Sequence, residues 1–325
     1  MKPVSVIFSL TMVFIAVLPV PAWTLPVTGL YSHEVVVGNQ SEQERNLAFQ
    51  ESLAAVIVKV TGEPRWLENT IIQQALENAQ NYVEAIEYRS ESVPVETADT
   101  ALDGTDSGLS SDVEPAATPL SPALVVEELL NVSFAKGLVD QLLADAAIPV
   151  WDSNRPSVLV WMAVQNDAGE RSLLSSESNP GIIQLIQQFA ELRGIPIIFP
   201  VLDFEDRRTI SADSIWALDE QAIRVASERY APDSILAGRL LITASGDLVG
   251  LWQFIFQDQL EVFDSLDTEL ASYIGDPLDR VTTQLARHFA VAPARSGSEM
   301  ARLRIEGIDN LAAYADLVNY LQELV

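Results

Sequence analysis

The chain has 325 residues, enough for two or three domains with sizeable cores. Its 19 basic against 46 acidic residues give a formal charge of −27, which serves solubility first and repels phosphate backbones and anionic lipid surfaces, so nucleic acid is not an expected partner. Cysteine is absent and His33 and His288 are the only histidines, which excludes disulfides, thiolate metal sites, cysteine nucleophiles and histidine-rich zinc motifs.

Lys2 precedes an apolar run over residues 4–20, and Val20-Pro21-Ala22 offers the small residues that a signal peptidase accepts. Residues 1–22 therefore read as a signal peptide cleaved after Ala22. A retained anchor is disfavoured because Ser5, Ser9, Thr11 and Pro19 interrupt a run already short for a span of about 20 apolar residues. No later stretch is long and apolar enough to span a bilayer, so a soluble, exported protein is expected, periplasmic in a Gram-negative cell.

Residues 23–149 read as a small α+β domain. A strand over 30–37 ends at Gly38-Asn39, and Ser41 with Glu44 three residues on forms a capping box, each satisfying a free backbone donor of the other's turn. Phe49, Leu53, Val56, Ile57 and Val60 follow at helical spacing, and Thr61-Gly62 ends that helix. A second helix over 69–80, a strand over 82–88, its hairpin partner over 129–134 and a helix over 136–146 complete the order. Residues 91–122 interrupt the hairpin. From Ser90 through Ala135 there are nine acidic residues and no lysine or arginine, and Pro94, Pro115, Pro119 and Pro122 oppose any regular element, so an acidic disordered insertion is expected.

Residues 150–292 read as a three-layer α/β domain with a mixed sheet. Two apolar runs, 156–164 and 195–202, flank a helix that Asn179-Pro180 opens and Gly194 closes, with Ile182, Leu185, Ile186 and Phe189 on one face. That is the pattern of a parallel βαβ unit. One helix is expected over 212–230, capped by Ser211 or Asp213, then a strand over 234–242. Leu248, Trp252, Phe254 and Phe256 point to one face of a further strand, a short edge strand falls near 260–263, and the last helical region breaks at Gly275-Asp276-Pro277. Residues 293–325 read as a linker and a partial βα unit, with a strand over 303–307 and a helix over 311–324. A strand and a helix alone cannot close a core.

Four stretches together carry a resemblance: residues 54–62, ending Lys59-Val60-Thr61-Gly62; Trp151 with Arg155-Pro156 and Val160-Trp161; Arg193-Gly194-Ile195-Pro196 with residues 200–206; and Ala226-Ser227-Glu228-Arg229-Tyr230. Over about residues 31–320 the chain resembles the exported proteobacterial proteins grouped as domain of unknown function 2066. That resemblance implies a signal peptide and an envelope location and supplies no catalytic residues.

Asp203, Glu205 and Asp206 leave the second apolar run at its carboxyl end, where open α/β sheets place ligands. Three carboxylates in four residues could hold Mg²⁺ or Ca²⁺, but Arg207 occupies the next ligand position and no glycine supplies the turn of a calcium loop. Neutralisation by Arg207 and Arg208, or helix capping, is the favoured role. Trp151 stands at the start of the second domain as a junction residue or a partner contact, and Arg155 with Pro156 is favoured to fix the strand entry over binding a ligand. No nucleophile elbow or phosphate loop is present. The composite expectation is an exported protein that acts by binding another envelope protein, with Asp203, Glu205, Asp206, Arg207, Trp151 and Arg155 as candidate contacts and no cofactor required. The alternative is a divalent-metal-dependent hydrolase with Asp203, Glu205 and Asp206 as ligands.

Overall fold

The computed structural model describes residues 27–94, 124–166 and 168–293, with Ile305, Tyr314, Leu317 and Tyr320 beyond them. The expected signal peptide, residues 95–122 of the acidic insertion and all but Pro293 and Ile305 of the linker and strand near the carboxyl terminus lie outside the described residues. Residues 91–94, expected to be disordered, instead extend an edge strand that tolerates a proline at its end. Met1–Pro293 and Ala294–Val325 form separate compact units, and in the second Tyr314, Leu317 and Tyr320 are helical.

The first sheet has three antiparallel strands, β1 (Ser32–Val37), β2 (Val83–Pro94) and β3 (Leu124–Phe134), in the order β1-β3-β2. Helix α1 (Glu42–Thr61) packs on it through Phe49, Leu53, Val56, Ile57 and Val60, all buried. Helices α2 (Thr70–Glu77) and α3 (Lys136–Asp145) close the same core with Ile72, Val139 and Leu143. Local chemistry sets the limits of α1. Ser41 Oγ accepts from Glu44 N, and Gly62 adopts the left-handed conformation at φ 74° with its N–H on Val58 O. Only half of the expected capping box forms, because Asn39 Oδ1 rather than Glu44 accepts from Ser41 N.

The second sheet is six-stranded and mixed, as expected for an α/β layer structure. Strands β4 (Val158–Gln165) and β5 (Arg171–Leu173) pair at one edge, helix α4 (Pro180–Arg193) follows, and β6 (Ile197–Ile198) adds a short parallel pairing to β4. The expected strand over 195–202 thus contracts to two residues. Pro196 and Pro200 flank it, and a proline has no N–H to give a ladder. The main parallel neighbour of β4 is β7 (Ser234–Ile242), matched from Val158↔Ser234 to Gln165↔Leu241. Strands β8 (Leu248–Phe256) and β9 (Gln259–Asp267) complete the order β5-β4-β7-β8-β9.

Between β6 and β7 run α5 (Phe204–Thr209), α6 (Ala212–Trp216) and α7 (Glu220–Ser227). The single helix expected over 212–230 is two, because Leu218 turns left-handed at φ 52° and Asp219 caps α7 by accepting from Ala222 N. Conversely, α8 (Leu270–Phe289) runs unbroken through Pro277. Its stripe of Tyr273, Ile274, Leu278, Val281 and Leu285 is buried on the sheet, and such packing outweighs the one backbone bond that a proline removes.

The sheet has a core on each face. Helices α4 and α8 cover the face bearing Val158, Val160, Met162, Leu236, Trp252 and Phe254. On the other face, α6 and α7 bury Ile215, Ile223 and Ala226 against Leu159, Trp161, Ile235 and Ala237.

Candidate functional site

Asp203 is the N-cap of α5: its Oδ1 accepts from Glu205 N at 3.0 Å and Asp206 N at 3.1 Å. The same carboxylate receives both arms of Arg229, Nη1 to Oδ1 at 2.7 Å and Nη2 to Oδ2 at 3.0 Å. That bidentate pair, then the bond from Asp206 N, holds the Asp203 carboxyl well below its usual range and raises Arg229. Asp206 is buried, at 1% exposure. Its Oδ1 accepts from Arg229, and its Oδ2 accepts from Leu202 N at 2.8 Å and from Tyr230 Oη at 2.6 Å. Leu202 itself is left-handed at φ 56°, so Asp206 fixes a strained turn.

Sequence adjacency does bring the three acids together, but around an arginine. Arg229, in the 3-10 turn after α7, does the neutralising expected of Arg207 and Arg208, while Glu205 stands off at 3.8 Å. The donor set does not fit a hard cation, because a guanidinium occupies the position that a cation would take and the buried carboxylate's oxygens already carry donors. Among the described residues no group of three or more His, Asp or Glu side chains is spaced to hold a metal. Arg207 points elsewhere in the fold, lining with Arg171 and Ser178 a hollow of about 500 Å³ between β5 and α5.

Trp151 and Arg155, the other candidate contacts, are each 1% exposed, so neither meets a partner from its present position. Arg155 instead donates to five backbone carbonyl oxygens: Asp152, Trp151, Lys59, Arg193 and Gly194. Lys59 lies in the last turn of α1, and Arg193 and Gly194 end α4, so one guanidinium neutralises the negative ends of two helices from different sheet layers. The Trp151 ring lies under it at 4.3 Å. Burial pulls the Arg155 pKa down to about 9, leaving it charged at neutral pH.

A surface that the sequence reading passed over lies on the α6/α7 side of the six-stranded sheet. Register places four rows there: Leu159-Ile235-Ile255-Leu260, Trp161-Ala237-Gln253-Val262, Ala163-Arg239-Leu251-Asp264 and Gln165-Leu241-Val249-Leu266. The helices cover the β4 and β7 ends of these rows. At the other end Val249, Leu260, Val262 and Leu266 stand 38%, 45%, 51% and 75% exposed, an aliphatic face on β8 and the edge strand β9 interrupted by Asp264. The alternation of Leu260, Val262 and Leu266 with inward Phe263 was visible in the sequence. What hid its meaning was that no local pattern tells which strands the helices cover.

No curated protein matches the chain. The family described as domain of unknown function (DUF8605) matches residues 25–152, under half of the chain. Among solved structures, the LpoB C-terminal domain from Salmonella enterica is similar at 10% identity and TM-score 0.24, over 35% of this chain and 83% of that one. A protein described as uncharacterized is similar at 11% identity and TM-score 0.19, over 41% and 98%.

Proposed function

We propose that this is an exported protein of the cell envelope that acts by binding another envelope protein, which it takes on the uncovered face of β8 and β9. The observation that carries the reading is the row of Val249, Leu260, Val262 and Leu266, aliphatic side chains left to water on one sheet face. Large exposed apolar patches on folded proteins mark interaction sites. Two strands about 4.8 Å apart offer a platform close to the width of a helix. Asp264 lies within the patch, and the chain as a whole carries −27, so a partner helix with an apolar stripe and a flanking lysine or arginine fits it.

Export rests on Lys2, the apolar run over 4–20 and the small residues at Val20-Pro21-Ala22, together with the resemblance to the exported proteins of domain of unknown function 2066. In this reading the Asp203–Arg229 cluster and the Trp151–Arg155 junction hold the scaffold. The residues at 23–149 and 150–292 then serve as two domains, joined by Arg155.

A photo-crosslinking residue placed at Val262 in the exported protein tests this, with the exposed Glu77 on α2 as control. The expected result is a discrete adduct from position 262 but not 77, identified as one envelope protein and abolished by Asp264→Lys. Absence of any intermolecular adduct from 260, 262 and 266 overturns the proposal.

A further inference from the structure

A cleft of about 730 Å³ opens between the first sheet and the end of α4, away from the β8–β9 face. Its walls come from β1, β2 and β3 on one side and from the last turn of α4 with Gly194-Ile195-Pro196 on the other. Lys59, in the last turn of α1, lines it at 7% exposure. Its ammonium donates to Ser32 O at 3.0 Å and Gly29 O at 3.4 Å, and among the described residues no carboxylate lies within 4.0 Å of it. An ammonium has three donors, so one is left for a ligand. Behind Lys59 stand two more buried cations, Arg155 and Arg193, of which, among the described residues, Arg193 alone has a carboxylate partner, Asp279. Lys59 and Arg155 both answer the negative carboxyl ends of helices, and of these buried cations Lys59 is the one that lines the cleft.

The rim carries two acids and one base. Glu34 on β1 and Glu191 on α4 are exposed at the cleft, and Arg89 stands 4.0 Å from Glu34. His33 lines the cleft too, but burial and the charge of Lys59 lower its pKa, so it is neutral at pH 7. Lys59 on the buried floor and Glu34 and Glu191 on the exposed rim put charges of opposite sign at different depths of a cleft whose lining, with Arg89, carries no net charge. Such a lining disfavours a simple polyanion and suits a ligand with a charge at each end. Val27, Leu192 and Ile195 add apolar lining, and the volume is in the range of small-molecule sites.

We propose that this cleft binds a small zwitterion, an amino acid or short peptide, with its carboxylate on Lys59 and its ammonium between Glu34 and Glu191. The proposal stands independently of the protein-binding face.

Calorimetric titration of the purified chain with leucyl-leucine tests it, alongside the N-acetylated, C-amidated and doubly blocked forms, acetate and phosphate. The free dipeptide is expected to bind at least tenfold more tightly than either singly blocked form, with acetate and phosphate weaker still. Glu191→Gln, an exposed change that leaves the core alone, is expected to weaken the free dipeptide and shrink the penalty of acetylation. Lys59→Met is expected to remove the penalty of amidation. Equal affinity for free and doubly blocked dipeptide, binding of acetate or phosphate as tight as the dipeptide, no heat at millimolar ligand, or an acetylation penalty unchanged in Glu191→Gln each overturns it.

Discussion

Arg155 and Arg229 each gather the ends of several elements, but with opposite kinds of acceptor. Arg229 is part-exposed, in a cluster of three carboxylates, and its bonds to the partly exposed Asp203 replace pairings that water could also offer, although Asp206 beside it is buried. Arg155 is buried and bonded to carbonyls alone, at the ends of α1 and α4 and in its own turn. Four of its five bonds are buried, so its loss would leave buried carbonyls without that donor. The difference teaches that density of charge in a sequence is a poor guide to where charge matters. The conspicuous acids stabilise a surface turn, while a lone arginine beside a proline joins two sheet layers.

The strongest way to break this comparison is Arg155→Met. Several buried carbonyls lose their donor, and a loss of roughly 3–5 kcal/mol is expected in urea unfolding. Arg155→Lys is expected to recover little, since one ammonium cannot reproduce a planar fork. If Arg155→Met costs less than Asp206→Ala, the contrast between the two clusters is wrong.

Gly62→Ala should come next. Gly62 holds φ 74°, and an added Cβ would lie 2.5 Å from both Trp151 and Ala286. Overpacking of this kind costs about 1–3 kcal/mol, read as a lowered denaturation midpoint. On the Arg229 side, Asp206→Ala leaves Leu202 N and the Tyr230 hydroxyl without their acceptor, and about 1–3 kcal/mol is expected from calorimetric unfolding.

Asp203 sharpens the comparison through pH. Its folded pKa lies below the usual 3.8, so its contribution is fully present above that value and is lost as pH falls through the folded pKa. Asp203→Asn should therefore give a shallower acid limb in a plot of melting temperature against pH, with a smaller change at neutral pH than Asp206→Ala. The smallest expected effect is none: excess Mg²⁺ or Ca²⁺ leaves the melting temperature unchanged, because Arg229 already holds the carboxylates. A cation-dependent rise lost in Asp203→Ala would revive the hydrolase alternative.

Much of the fold was legible because it is local. Ser41 and Gly62 bracket α1, Asn179-Pro180 and Gly194 bracket α4, and β7 and β8 read directly from their apolar runs. The short β5 and α5 gave no period of their own and were not anticipated, and β9 runs over Gln259–Asp267 rather than 260–263. Other departures fell where two local signals compete. Asp219 divided a periodic run that looked like one helix, prolines shortened β6, and the packed stripe of α8 overrode Pro277. The candidate site was less legible. The clustering of Asp203, Glu205 and Asp206 was in the sequence, but their partner Arg229 lies a helix pair away, and Lys59 looked like one more residue of a helical turn.

The sequence by itself determined the sign of the protein's field, the absence of thiol chemistry and of histidine-rich metal motifs, and the ends of α1 and α4, because composition and capping act over a few residues. The tertiary structure alone decided that β4 takes β7 as its parallel neighbour, that Arg155 serves two helix ends, and that the β8–β9 face stays uncovered. Those outcomes depend on which distant surfaces meet. A side chain's burial and partners follow from that meeting rather than from its neighbours in the chain.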